Sequence, residues 1–270
     1  MAEKKDIPPA ETAQSLSVII PSRSQPRQAE FLRRAVQSIK AQTIYSTMTI
    51  DIVVAVDRGQ SLPAGLADEL GLVAVESHAA SQAAALNAAI RNVNTDLLAI
   101  LEDDDRWRPR FLELARKALP LAGFVSSTQL ELNERNEVVR INDFPTPSGW
   151  LMPVSTMRTV GEFNEDYRWH LDNEWLGRLA ESKIPRVHLV EATAPVELGH
   201  MAQVRPWPAN VIRLDGDAIQ IARHDVPFPL VQRLVHSQSG VGKIQQGGEL
   251  RSESRQEIKA LVARFGRIPW

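Results

Sequence analysis

Asp96-Leu97-Leu98-Ala99-Ile100-Leu101-Glu102-Asp103-Asp104-Asp105-Arg106-Trp107-Arg108-Pro109 joins a short apolar run directly to four consecutive carboxylates. A run of that length and composition is a buried strand. Four adjacent carboxylates at its end repel one another, and burying them without a partner is costly. A divalent cation relieves that cost, and hard oxygen ligands suit Mg²⁺ or Mn²⁺. The same cluster also suits a solvated acidic turn ahead of a helix starting after Pro109, where acidic residues are favoured. The strand leading into it and the Trp107-Arg108-Pro109 closure favour the metal.

Upstream, Leu16-Ser17-Val18-Ile19-Ile20 before Pro21 predicts a first buried strand. Phe31, Leu32, Ala35, Val36 and Ile39 recur at helical spacing, with Arg33, Arg34 and Lys40 on the other face. Ile50 to Val56 is a second strand, Leu72 to Glu76 a third, and the alanine-rich stretch Ser81 to Asn92 a helix. Strands alternating with helices over about a hundred residues predict an α/β fold with a mostly parallel sheet. Chemistry in such sheets gathers at the carboxyl ends of strands. Ser22 and Arg23, Asp57, and the acidic cluster all fall there.

Downstream, Phe124 to Ile141 reads as a hairpin broken at Asn133–Asn136, Asp172 to Ser182 as a helix and Val187 to Val190 as a strand. Helices are expected near Asn210–Ala222 and Glu249–Phe265, with a flexible linker over Gly240–Gly248.

Composition excludes several classes. The 270 residues carry 31 Lys+Arg against 33 Asp+Glu, so nothing global draws the chain to nucleic acid or an anionic membrane. With no cysteine there is no disulfide, thiolate metal site or cysteine nucleophile. No apolar run approaches the ~20 residues of a transmembrane helix. The start, with Lys4, Lys5, Asp6 and Pro8-Pro9, has no signal-peptide core, so a cytoplasmic protein is expected.

Five stretches in order resemble the family 2 glycosyltransferases of the GT-A fold. They are Ser17–Arg23, Val53–Gly59, Asp96–Pro109, Val160–Glu165 (VGEFNE) and Asp172–Ala180 (DNEWLGRLA), within roughly Leu16 to Leu198. The resemblance implies a Rossmann-like nucleotide-diphospho-sugar transferase sheet flanked by helices. It divides the chain into a tail (1–15), a GT-A domain (16–205, with a nucleotide-sugar half 16–108 and an acceptor half 109–205) and a C-terminal helical extension (206–270). It implies inverting transfer of a sugar from a UDP-, GDP- or dTDP-sugar to a carbohydrate or other hydroxyl acceptor, with Mn²⁺ or Mg²⁺.

By position, the resemblance makes Asp104 the last carboxylate of the DxD metal motif and Glu102 the first, with Asp103 on the ribose. Asp57 contacts the base, while Pro21, Ser22 and Arg23 line the nucleotide pocket. Asp172 is the catalytic base; the residues alone favour a helix cap, and it could serve as both. His200 is a candidate metal or diphosphate ligand, by place rather than by motif. Arg58, Gln60, Glu102 and Leu171 depart from the family pattern.

Trp150 and Trp169 read either as a sugar-stacking platform or as core, and Trp175 as core. Arg205 with Trp207 reads as a lid over the diphosphate or a rigid loop. His170 reads as orienting the acceptor or base, or as a surface residue; His78, His188, His224 and His236 show no partner pattern. The last segment is open to covering the acceptor site, pairing subunits as a homodimer, or meeting a membrane-bound acceptor. A GT-A module without turnover, binding nucleotide or carbohydrate, and a sugar-phosphate nucleotidyltransferase are the alternatives. Asp104 and Asp172 weigh against the first, and the glycine-free Ser22–Pro26 against the second.

Overall fold

A computed structural model describes residues 14–24, 26–191, 204–206, 211–214, 219–226, 228–236 and 248–269, with the backbone alone at 26, 204–206, 211–214 and 219–222. The first half follows the alternating pattern: β1 (Ser15–Ser22), α1 (Pro26–Lys40), β2 (Thr49–Val56), α2 (Leu66–Leu70), β3 (Val73–Glu76), α3 (Gln82–Ile90) and β4 (Leu97–Ile100). β1 lies between β2 and β4, parallel to both. Its side chains divide between two cores. Leu16, Val18 and Ile20 join the α1 residues Leu32, Ala35, Val36 and Ile39, whereas Ile19 joins Ala85, Leu86 and Ala89 of α3. A strand covered on both faces reads as a continuous apolar run.

Pro21 extends β1 rather than ending it. The Ile19 carbonyl accepts from Leu101 N, so the Pro21 nitrogen, two residues on, faces the same side. β4 pairing stops at Ile19↔Ile100, and no ladder bond is lost there.

The middle of the chain adds β5 (Arg106–Trp107), α4 (Phe111–Ala118), β6 (Phe124–Ser127), β7 (Gln129–Leu132), β8 (Val138–Asn142), β9 (Trp150–Pro153), α5 (Val154–Val160), α6 (Leu171–Glu181) and β10 (Arg186–Glu191). The expected hairpin over 124–141 is divided at Thr128. β6 pairs with β10 in the large sheet, whereas β7 and β8 alone form the hairpin, in a small one.

The last segments are β11 (Val204–Pro206), β12 (Val211–Leu214), β13 (Ile219–His224), β14 (Val231–Leu234) and α7 (Glu249–Phe265). The helix expected near 210–222 is instead a pair of strands. Ile219-Gln220-Ile221 alternates with period two, and β13 finds a parallel edge on β10. The expected helix at 249–265 is present. Among the described residues the large sheet runs β11-β12-β13-β10-β6-β9-β4-β1-β2-β3 and the small one β5-β14-β7-β8. The expected linker at 240–248 lies outside the described residues except for Gly248.

Candidate active site

The acidic turn follows β4 directly, and each of its carboxylates has a different partner. Ser148 pins it at both ends: Glu102 N donates to Ser148 Oγ (3.0 Å), and Ser148 Oγ donates to Asp105 Oδ2 (2.6 Å). Leu234 N donates to the other Asp105 oxygen at 2.9 Å, so this 1% exposed carboxylate is a structural anchor between β4 and β14. Asp103 turns towards β1 and accepts from Ser22 Oγ at 2.6 Å. Glu102 accepts from Gln82 Nε2 at the start of α3. Asp104 Oδ2 lies 2.9 Å from His236 Nε2.

Glu102, Asp104 and Asp105 each offer an oxygen within 4.8 Å of the others. Burial raises the proton affinity of Glu102, Asp103 and Asp105, and the Asp104 charge raises each further. The balancing charge is Arg233 on β14. Burial disfavours its cation, but Glu102, Asp105, Glu131 and Asp104 together hold it protonated. Buried Glu131 is in turn gripped by Arg140 Nε (2.7 Å), Asn142 Nδ2 (2.9 Å) and Arg233 Nη1 (3.4 Å). Burial opposes its ionisation, and the Arg140 bond and both arginine charges outweigh that. Arg233, with Arg23 acting on Asp103, therefore faces a carboxylate excess, with oxygen donors close together. That donor set fits a hard divalent cation.

Asp57, at the end of β2, is partly buried. Desolvation raises its proton affinity, and the charge of Arg23, at the end of β1, opposes the rise. Pro21, Ser22, Arg23, Asp57 and the acidic turn thus share one edge of the sheet, the carboxyl ends of β1, β2 and β4.

Asp172 sits in the first turn of α6, whose N-cap is His170, so Asp172 is not the cap. Asn173 N donates to its Oδ1 at 2.9 Å. Burial raises its proton affinity, and its charge adds to the rise at Glu102.

His200 and Trp207 lie outside the described residues, and the Arg205 side chain is not described. Trp150 and Trp175 are fully buried in an aromatic cluster with Phe124 and Phe163, so Trp150 is core and not a sugar platform. Trp169 donates from Nε1 to Glu253 Oε2 (3.1 Å). His170 is no bare surface residue: its ring reaches Ser254 Oγ (2.9 Å) and Asn173 Oδ1 (3.2 Å). His236, without a partner pattern in the sequence, is buried against Asp104. A polar residue just beyond a strand-period run, as at Ser22 and Asp57, is the signal that marks it in Val231–His236.

Residues 17–127 match the family model described as Glycosyl transferase family 2. The match covers a segment of less than half of the chain. That segment runs from β1 through the acidic turn to β6 and includes Ser22, Asp57 and Asp104. No curated protein matches the chain.

Among solved structures, the chain resembles residues 1–349 of S. aureus TarS in complex with UDP-GlcNAc. The TM-score is 0.56 at 10% identity, covering 93% of this chain and 73% of that one. Against a longer TarS chain the TM-score is 0.54 at 10% identity and 91% coverage, and this chain spans 42% of that length. The mannosyltransferase PcManGT from Pyrobaculum calidifontis, in complex with GDP-Man and Mn²⁺, matches with a TM-score of 0.50 at 15% identity, over 78% of this chain and 57% of that one. These likenesses show a shared GT-A fold. Among the described residues no helix is long and apolar enough to cross a membrane.

Proposed function

We propose that this chain is a metal-dependent, inverting glycosyltransferase that moves a sugar from a nucleotide-diphosphate donor to an acceptor hydroxyl. The observation carrying the reading is the turn 102–105, with three carboxylate oxygens within 4.8 Å at the end of a central strand. The family 2 segment supports it, as do relatives in fold bound to UDP-GlcNAc or GDP-Man.

Asp104 and Glu102 would hold the cation, with His236 beside Asp104 as a further ligand; His200 keeps the metal or diphosphate role that the resemblance suggests. When bound, Mn²⁺ or Mg²⁺ would offset the negative charge that develops on the departing diphosphate. Asp103, oriented by Ser22, accepts a ribose hydroxyl; Asp57 and Arg23 meet the base, with Pro21 forming the pocket wall. The acceptor oxygen attacks the anomeric carbon, whose bond to the phosphate oxygen breaks, and the electron pair leaves with the nucleotide. Asp172 takes the hydroxyl proton. Burial suits it to the task, because a carboxylate with raised proton affinity is the stronger base. A single displacement inverts the anomeric carbon.

Release of nucleotide diphosphate from UDP-GlcNAc and from GDP-mannose, with Mn²⁺ and with EDTA, tests the proposal. Metal-dependent release from one donor, lost in Asp172→Asn, is expected. Nucleotide binding without release from any donor, even with acceptor sugars present, would favour a binding module instead.

A further inference from the structure

α7 contributes no residue to the acidic turn, yet one of its carboxylates grips the chain just ahead of Asp172. Glu257 Oε1 accepts from Arg168 N, and Glu257 Oε2 accepts from both Trp169 N and His170 N, all at 2.9 Å. Three consecutive amides on one carboxylate form an anion nest built from within the chain. The same surface holds the flanking side chains. His170 Nε2 meets Ser254 Oγ at 2.9 Å, and Trp169 Nε1 donates to Glu253 Oε2 at 3.1 Å. Beyond Asp172, Asn173 Nδ2 donates to the Pro269 carbonyl at 2.8 Å. At the next residue, buried Glu174 is paired with Arg264 at 2.9 Å.

The residues on either side of Asp172 are thus fastened to α7 and the tail after it. Asp172 Oδ1 itself accepts from Asn173 N at 2.9 Å. The loop 168–170 has no regular ladder of its own. Without Glu257, three adjacent N–H groups at the start of α6 lose their acceptor together. A shift of about 1 Å in a reacting group costs on the order of 10²-fold in rate.

We propose that Glu257 is a positioning residue for the transfer: its carboxylate fixes the loop 168–170 and so aims the Asp172 carboxylate at the acceptor hydroxyl. This rests on the reading of Asp172 as the base. It gives the C-terminal helix a task in catalysis without any contact with donor or acceptor.

Two variants test it in the full chain. Glu257→Ala removes all three acceptor contacts; Glu257→Gln keeps one oxygen but turns an NH₂ towards an N–H donor. Amide hydrogen exchange at 168–170 is expected to accelerate about tenfold or more in Glu257→Ala, with exchange in β1, β2 and β4 unchanged. Turnover of UDP-GlcNAc or GDP-mannose with Mn²⁺, whichever the wild type uses, is expected to lose about tenfold or more in kcat. KM for the donor should stay within about twofold, and Glu257→Gln should fall between wild type and Glu257→Ala. Wild-type kcat or unchanged exchange at 168–170 in Glu257→Ala overturns the proposal. So does a loss in which kcat, donor KM and exchange throughout the chain all worsen together, as general loosening would give. Failure of the underlying reading shows differently. An Asp172→Asn variant with wild-type turnover, or a wild-type chain without turnover, removes the base that Glu257 is assigned to aim.

Discussion

His236 Nε2 lies 2.9 Å from Asp104 Oδ2, joining the end of β14 to the turn after β4 across 132 positions of sequence. The pair gives the acidic turn an imidazole beside its partly exposed carboxylate, a mixed oxygen and nitrogen donor set. Removing a ligand or its orienting partner costs metal affinity about 10- to 100-fold. His236→Ala is therefore expected to weaken Mn²⁺-dependent nucleotide binding by about that factor. His78→Ala, at an exposed histidine paired with Glu165, should leave it unchanged. Titration calorimetry of the two variants makes the comparison.

Asp172→Asn removes the proton acceptor while keeping the side-chain shape. Its kcat is expected to fall by about 10²–10⁴-fold, with nucleotide binding retained. Only the ionised carboxylate accepts a proton, so kcat falls as pH drops through its pKa. Burial raises that pKa, which moves the acid limb above the ordinary aspartate range. A kcat profile flat down to the ordinary aspartate range would count against Asp172 as the base.

Gly177 lets α7 lie close on α6. A Cβ at this position would stand 2.6 Å from Phe265 Cζ and 2.7 Å from two further ring carbons. Gly177→Ala gains about 1 kcal/mol of helix propensity, yet the ring must move, and overpacking costs about 1–3 kcal/mol. A lower melting temperature is expected, with partial recovery when Phe265→Leu is added. Additive effects in that double-mutant cycle would contradict the contact.

His188 is buried on β10, with Nδ1 2.7 Å from Ser126 Oγ. Burial first, and the Arg186 charge second, push its pKa down from 6.5 to about 3. Between those values the unfolded chain binds a proton that the folded chain excludes. Stability from this group is therefore present above pH 6.5 and is lost as pH falls towards about 3. Melting temperatures from pH 7.5 to 4.5 are expected to fall less steeply in His188→Gln than in wild type. Parallel slopes would contradict it.

How much of this was legible in the sequence depended on how local each signal was. β1, β2 and β4 are buried apolar runs with Ser22, Asp57 and the acidic turn at or just past their ends, so the runs alone predict strands and site edge, although Pro21 did not end β1. Residues 211–224 mix apolar and polar residues at a spacing that suits helix or strand, and pairing with β10 decided for strand. Arg233 and His236 reach the site because β14 pairs with β7, a partner about a hundred positions away. Glu257 lies on a helix legible from its composition, but its acceptor role depends on where that helix docks. Trp150 shows the same limit: a tryptophan near a site reads alike as platform or core until packing is known.

The most direct test of the central claim is calorimetric titration of the full chain with UDP and with GDP, each with and without Mn²⁺, alongside Asp104→Ala. Binding of one nucleotide only when Mn²⁺ is present, abolished in Asp104→Ala, is expected. Binding that ignores the metal, or that survives unchanged in Asp104→Ala, would contradict a metal-assisted donor site at the acidic turn.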